Sequence, residues 1–118
     1  MRDHRSLEAW KEARQITHAV FLMCRSNWKA YAAAAFEQLQ KAALSIQLNI
    51  VEGYALASPR RLANHLSISY GSAVETAEIL ELGLEEDFLP PEVASPALQR
   101  TKRCQALLLG LIKHYRAG

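Results

Sequence analysis

The sequence is poor in residues that staple or interrupt a chain: two cysteines, four prolines and five glycines in 118 residues. Cys24 and Cys104 have none of the close Cys or His neighbours of zinc sites, and no Cys-x-x-Cys occurs, so they read as reduced, buried thiols. No apolar run reaches the ~20 residues that cross a bilayer, and no cleavable apolar segment follows the charged stretch from Met1 to Leu7. A cytoplasmic protein with no membrane role is the expectation. Charge of one sign is also scarce. Fourteen basic and twelve acidic side chains leave a formal charge of +2, which makes no case for nucleic-acid binding unless the charges cluster. His4, His18, His65 and His114 are scattered, without His-Glu-x-x-His, and no Glu is followed three positions later by His. The motifs of metalloproteases and of carboxylate-bridged di-iron bundles are therefore missing.

What the sequence does have is helical periodicity. Half of the residues are apolar and 22% are charged, a balance suited to one globular domain spanning residues 1–118. At this length a fold buries roughly two thirds of the surface its unfolded chain exposes, so neither metal nor disulfide is needed. Apolar spacing predicts helices over about 7–26, 32–56, 59–86 and 96–115, joined by short connections, hence an all-α, up-and-down antiparallel four-helix bundle. Ser58-Pro59 and Ser95-Pro96 read as a capping serine followed by a first-turn proline. Phe88-Leu89-Pro90-Pro91 reads as a turn. In the first helix Leu7, Trp10, Thr17, Phe21 and Cys24 form one line and Ala13, Ile16, Val20 and Met23 a second. The second line is expected either to meet another subunit or to widen the core face.

The middle of the chain is the most informative. Ser45, Asn49 and Glu52 fall on one stripe of the second helix, with Leu39, Ala43, Ile46 and Ile50 on one side and Leu44, Leu48, Val51 and Ala55 on the other. The stripe is expected to point inward, against Asn64, Gly71, Ser72 and Glu75 of the third helix, with Gly71 allowing a close crossing. Such a network fixes register. The catalytic alternative would make Glu52 and Glu75 a carboxylate pair for acid–base or metal chemistry, without an accompanying nucleophile or ligand set.

The segment Ala42-Ala43-Leu44-Ser45-Ile46-Gln47-Leu48-Asn49-Ile50-Val51-Glu52-Gly53, followed by Gly71-Ser72-Ala73-Val74-Glu75, resembles the four-helix bundle family also called the 23S ribosomal RNA intervening-sequence protein family. That family includes accessory proteins of diversity-generating retroelements. Leu7-Glu8-Ala9-Trp10 resembles its opening, and the likeness covers nearly the whole chain. Val51 stands where the family commonly has alanine, and Lys41 stands alone where a basic pair is usual. The resemblance implies a cytosolic bundle that assembles as a homopentameric barrel, without an established enzymatic activity or cofactor. For the retroelement branch it implies a basic barrel that binds a reverse transcriptase and nucleic acid.

Two basic clusters stand out, Arg60 and Arg61 with His65, and Arg100, Lys102 and Arg103, which an antiparallel bundle places at opposite ends. Lys113, His114 and Arg116 then come near Arg60 and Arg61. Arg60, Arg61, Lys113 and Arg116 are the candidate nucleic-acid contacts, on a surface that a ring of subunits would multiply. Glu75, Glu78, Glu81, Glu85, Glu86 and Asp87 concentrate negative charge toward the end of the third helix, either as a solvated face or to meet a metal or a basic partner. Cys24 and Cys104 should lie at levels about 9 Å apart, too far for a disulfide. The leading expectation is a non-catalytic homo-oligomeric scaffold or adaptor, engaging RNA, DNA or a nucleic-acid enzyme such as a reverse transcriptase. The alternatives are a purely protein-binding scaffold and, weakest, a metal-dependent enzyme; no small-molecule substrate, cofactor or metal is identified.

Overall fold

Long runs rich in alanine and leucine, both strong helix formers, give this chain its helices. The computed structural model describes residues 4–56 and 58–117. They form α1 (His4–Asn27), a 3-10 turn (Ala30–Ala32), α2 (Ala33–Ala55), α3 (Pro59–Glu85) and α4 (Pro91–Ala117), with no strand among the described residues. Each helix packs on its two neighbours, α1 on α2 and α4, α3 on α2 and α4, with no diagonal contact among the described residues. The result is an up-and-down antiparallel four-helix bundle measuring 46 × 20 × 18 Å.

The helix ends explain the boundaries. Ser58 caps α3 as expected, its Oγ accepting the Arg61 N–H at 3.5 Å with Pro59 in the first turn. At the other end of α3, Asp87 takes a left-handed φ of 58°, and the N–H groups of Phe88 and Leu89 both reach the Gly83 carbonyl, at 3.0 and 3.1 Å. This is a Schellman-type stop with aspartate in the position that glycine usually fills. A Cβ on Gly83 would lie 2.5 Å from Leu89 Cδ1, so glycine here makes room for the returning chain.

The fourth helix departs from the sequence expectation. It starts at Pro91, five residues before the predicted 96, and Ser95-Pro96 is no cap. The Pro90 carbonyl already accepts the N–H groups of Val93 and Ala94, at 3.2 and 3.0 Å, and Pro91 sits in the first turn, where no amide is required. Pro96 is then a proline inside the helix. It lies on the exposed side, as does Glu92, whose carbonyl loses its amide partner to the proline, while Ala94 and Ala97 hold the buried side against the core. The far end also differs, since Arg116 and Ala117 remain helical beyond the expected end at 115.

The core is filled by Ile16 and Val20 of α1, Phe36, Leu39, Ile46 and Ile50 of α2, Leu66 and Leu80 of α3, and Leu108 and Leu111 of α4, all fully buried. On α1 the line Ala13, Ile16, Val20 and Met23 belongs to this core and not to another subunit. Trp10, Thr17 and Phe21 lie half-buried instead. One end of the bundle is closed by aromatic contacts, Trp28 to Phe36 at 5.0 Å and Phe36 edge-on to Phe88 at 5.4 Å.

Candidate functional site

The polar stripe of α2 meets α3, but along its seam and not in the core. Ser45 Oγ and Ser72 Oγ are 2.7 Å apart, and the Asn49 amide donates to the Ser45 carbonyl at 2.9 Å and to Ser45 Oγ at 3.1 Å. The Asn49 carbonyl oxygen faces His65 Nδ1 at 3.0 Å. Because the amide nitrogen is committed to Ser45, His65 Nδ1 must carry the proton of this bond. Glu52 approaches the same nitrogen at 3.8 Å from an exposed position. These side chains are half-buried, apart from Glu52.

Ser45, Asn49, Glu52 and Ser72 are thus brought together, whereas three predicted members are not. Asn64 and Gly71 are exposed, and nothing lies within 4 Å of where a Gly71 Cβ would be. The close approach belongs to Gly53, where a Cβ would lie 3.0 Å from both His65 Cβ and Leu62 Cδ1. Glu75 is exposed and accepts from Gln38 Nε2 at 2.6 Å. Gln38 and Glu52 are fourteen residues apart on α2, about 21 Å at ~1.5 Å per residue, so Glu52 and Glu75 do not form a carboxylate pair. His65, which sequence reasoning left out, takes the place assigned to Asn64. The signal was present: His65, Ser69, Ser72 and Thr76 share a stripe one step round from Asn64, Gly71 and Glu75, and Ser69 Oγ donates to the Ile46 carbonyl at 2.8 Å.

On the side of α2 away from the core, Leu44, Leu48 and Val51 are solvent-exposed, Leu48 at 44%, and Ile68 of α3 is exposed across the seam. Spacings of four and three residues put the three α2 side chains on one stripe. The apolar surplus that the sequence shows on α1 is therefore found on α2, outside the bundle.

At the end of the bundle where α3 starts and α4 stops, Arg60 and Arg116 line one shallow cavity of about 510 Å³ with Asn64 and Tyr115. Arg116 Nη2 also donates to Ser67 Oγ at 3.1 Å. Arg61 and Lys113 are exposed on the same helix termini but do not line the cavity. The other basic cluster is paired with acid. Arg100 and Arg103 reach Glu12 at 3.4 and 3.9 Å, and Lys102 reaches Glu81 at 3.5 Å.

Both thiols are buried and chemically quiet. Burial pushes Cys24 up to about 11, and burial together with the Glu12 charge pushes Cys104 up to about 12. Cys24 Sγ contacts the Phe36 carbonyl at 3.8 Å and Cys104 Sγ the Ala9 carbonyl at 3.9 Å. Since Cys104 sits level with Ala9, fifteen residues from Cys24 on α1, the two thiols are separated by about 22 Å along the bundle, more than the sequence estimate. The early start of α4, by five residues, accounts for about 7.5 Å of the difference at ~1.5 Å per residue.

A sequence model of the family described as 23S rRNA-intervening sequence protein matches residues 5–110. No curated protein matches the chain. Among solved structures, a protein of unknown function from the S23 ribosomal protein family of Bacteroides thetaiotaomicron VPI-5482 is similar at a TM-score of 0.83 and 21% identity. The likeness covers 93% of this chain and 99% of that one, and it is a likeness of fold.

Proposed function

Because this chain belongs to the 23S rRNA-intervening sequence protein family, we propose that it is a non-catalytic, homo-oligomeric scaffold or adaptor of the cytoplasm. The observation that carries this reading is the outer stripe of Leu44, Leu48 and Val51, continued by Ile68, on a bundle whose core is complete without it. Contiguous apolar surface on a small domain marks a contact with another molecule, and the stripe is the face on which copies of the chain associate, in the pentamer that the family resemblance implies. The assembled scaffold offers its Arg60 and Arg116 ends to RNA, DNA or a nucleic-acid enzyme such as a reverse transcriptase. Two arginines on one cavity supply bidentate donors for phosphate, and repetition around the assembly multiplies a charge that is weak in one copy. The metal-dependent alternative has lost its geometric basis with the separation of Glu52 and Glu75.

Light scattering on the purified protein, followed by titration of a labelled RNA at two salt concentrations, tests both halves. A mass of several chains and binding that weakens steeply with salt are expected. The double variant Arg60→Glu/Arg116→Glu should keep the mass and flatten the salt dependence. A monomer overturns the scaffold, and an oligomer that ignores RNA at low salt leaves the purely protein-binding reading.

A further inference from the structure

We infer that the acidic end of the bundle is a docking groove for a cationic amphipathic segment of another protein. The groove runs between the start of α2 and the end of α3, a cavity of about 450 Å³ with Ala32, Ala35 and Phe88 among its lining residues. Its rim carries two large apolar side chains in water, Tyr31 at 71% exposure and Leu82 at 43%. Helical spacing puts Glu78, Glu85 and Glu86 around Leu82 on the outer side of α3, and all three are exposed.

These carboxylates have no ion-pair partner among the described residues, in contrast to Glu81, which meets Lys102, and Glu75, which is bonded by Gln38. Lys29, the cation tied to this end, is committed to the carbonyls of Asn27 and Phe88, at 3.2 and 3.3 Å. Helix stability does not account for the charges either. Glu85 ends α3 and Glu86 follows it, at the negative pole of the macrodipole, where carboxylates are unfavourable. Asp87 alone has a local role, in the left-handed turn.

An apolar groove rimmed by unpaired carboxylates matches a helix that carries leucine-like side chains on one face and lysine or arginine beside them. The basic end of a second copy supplies charge but fits less well, because its Arg60 and Arg116 surround a cavity and not a projecting apolar side chain. Acidic end and basic end are therefore distinct surfaces, and the groove is independent of the nucleic-acid reading above.

The test uses the full chain and a labelled eighteen-residue peptide with leucine on one helical face and lysine on the other, followed by fluorescence anisotropy. Two control peptides replace every lysine with glutamate or every leucine with serine. Binding should fall about tenfold or more with Glu78→Lys/Glu86→Lys, and comparably with Tyr31→Ala/Leu82→Ser, while Arg60→Glu/Arg116→Glu leaves it unchanged. A photoreactive leucine in the peptide should crosslink at Tyr31 or Leu82. All substituted positions are exposed, and a melting curve for each variant verifies the fold. Equal binding of the serine peptide, indifference to Tyr31→Ala/Leu82→Ser, or crosslinks confined to Leu44, Leu48 and Val51 would overturn the proposal. So would self-association of the protein that both Glu78→Lys/Glu86→Lys and Arg60→Glu abolish, which gives the groove to a second copy.

Discussion

The inner and outer faces of α2 are built from the same kinds of side chain and have opposite roles. Phe36, Leu39, Ile46 and Ile50 are fully buried, whereas Leu44, Leu48 and Val51 stand in solvent on the same helix. Hydrophobicity does not separate the two sets. What separates them is that the inner face meets Cys24, the Trp28 ring and Phe88, while Leu44, Leu48 and Val51 on the outer face stay 37%, 44% and 42% exposed. Between the faces lies the seam of Ser45, Asn49, Ser72 and His65, which gives α2 and α3 a fixed register through hydrogen bonds that an apolar strip could not specify.

Substitutions across α2 should therefore produce a graded series. Phe36→Ala, which empties the centre of the aromatic end, should destabilise the fold by about 3–5 kcal/mol in a urea titration. Gly53→Ala forces a methyl against His65 and Leu62 and should cost about 1–3 kcal/mol; a neutral result would mean that α2 and α3 can part without loss. Asn49→Ala removes the bridge from Ser45 to His65 and should cost about 1 kcal/mol, with the His65 ring resonances in an NMR spectrum shifting most. Leu48→Glu sharpens the contrast most, since the stability of a single chain should change by less than about 0.5 kcal/mol while the mass in light scattering falls to that of one 13.2 kDa chain. An unfolded Leu48→Glu variant would break the comparison and make the outer face part of the core.

The architecture was legible because three of the four helices begin or end at strong local signals, such as Ser58-Pro59 and the Phe88-to-Pro91 turn. The fourth start was not, because two prolines suited to a first turn, Pro91 and Pro96, compete within six residues. The Pro90 carbonyl bonds to Val93 and Ala94 decide between them, and tertiary burial of Ala94 and Ala97 supports the longer helix. Half of the seam was legible for a similar reason. The α2 stripe was fixed by its own spacing, but its counterpart on α3 depends on how far that helix is rotated. A rotation of one residue, about 100°, exchanges Asn64 and Gly71 for His65 and Ser72. On α1 both apolar lines satisfy helical spacing, and only packing against Phe36 and Leu108 shows which one is inside. The pairing of Arg60 with Arg116 was readable from topology alone, since it needs only the antiparallel order.

One consequence of the elongated shape concerns symmetry. Arg60, Arg61, Lys113 and Arg116 occupy one end of a 46 Å rod, and Glu85, Glu86 and Asp87 the other, so each chain is an electric dipole along its own axis. In a cyclic assembly whose rods run parallel to the rotation axis, the dipole moments add and the particle has one cationic and one anionic pole. A two-fold pairing of antiparallel rods cancels them. The orientation of the assembled protein in a pulsed electric field, read as transient birefringence, therefore reports which symmetry its subunits have adopted.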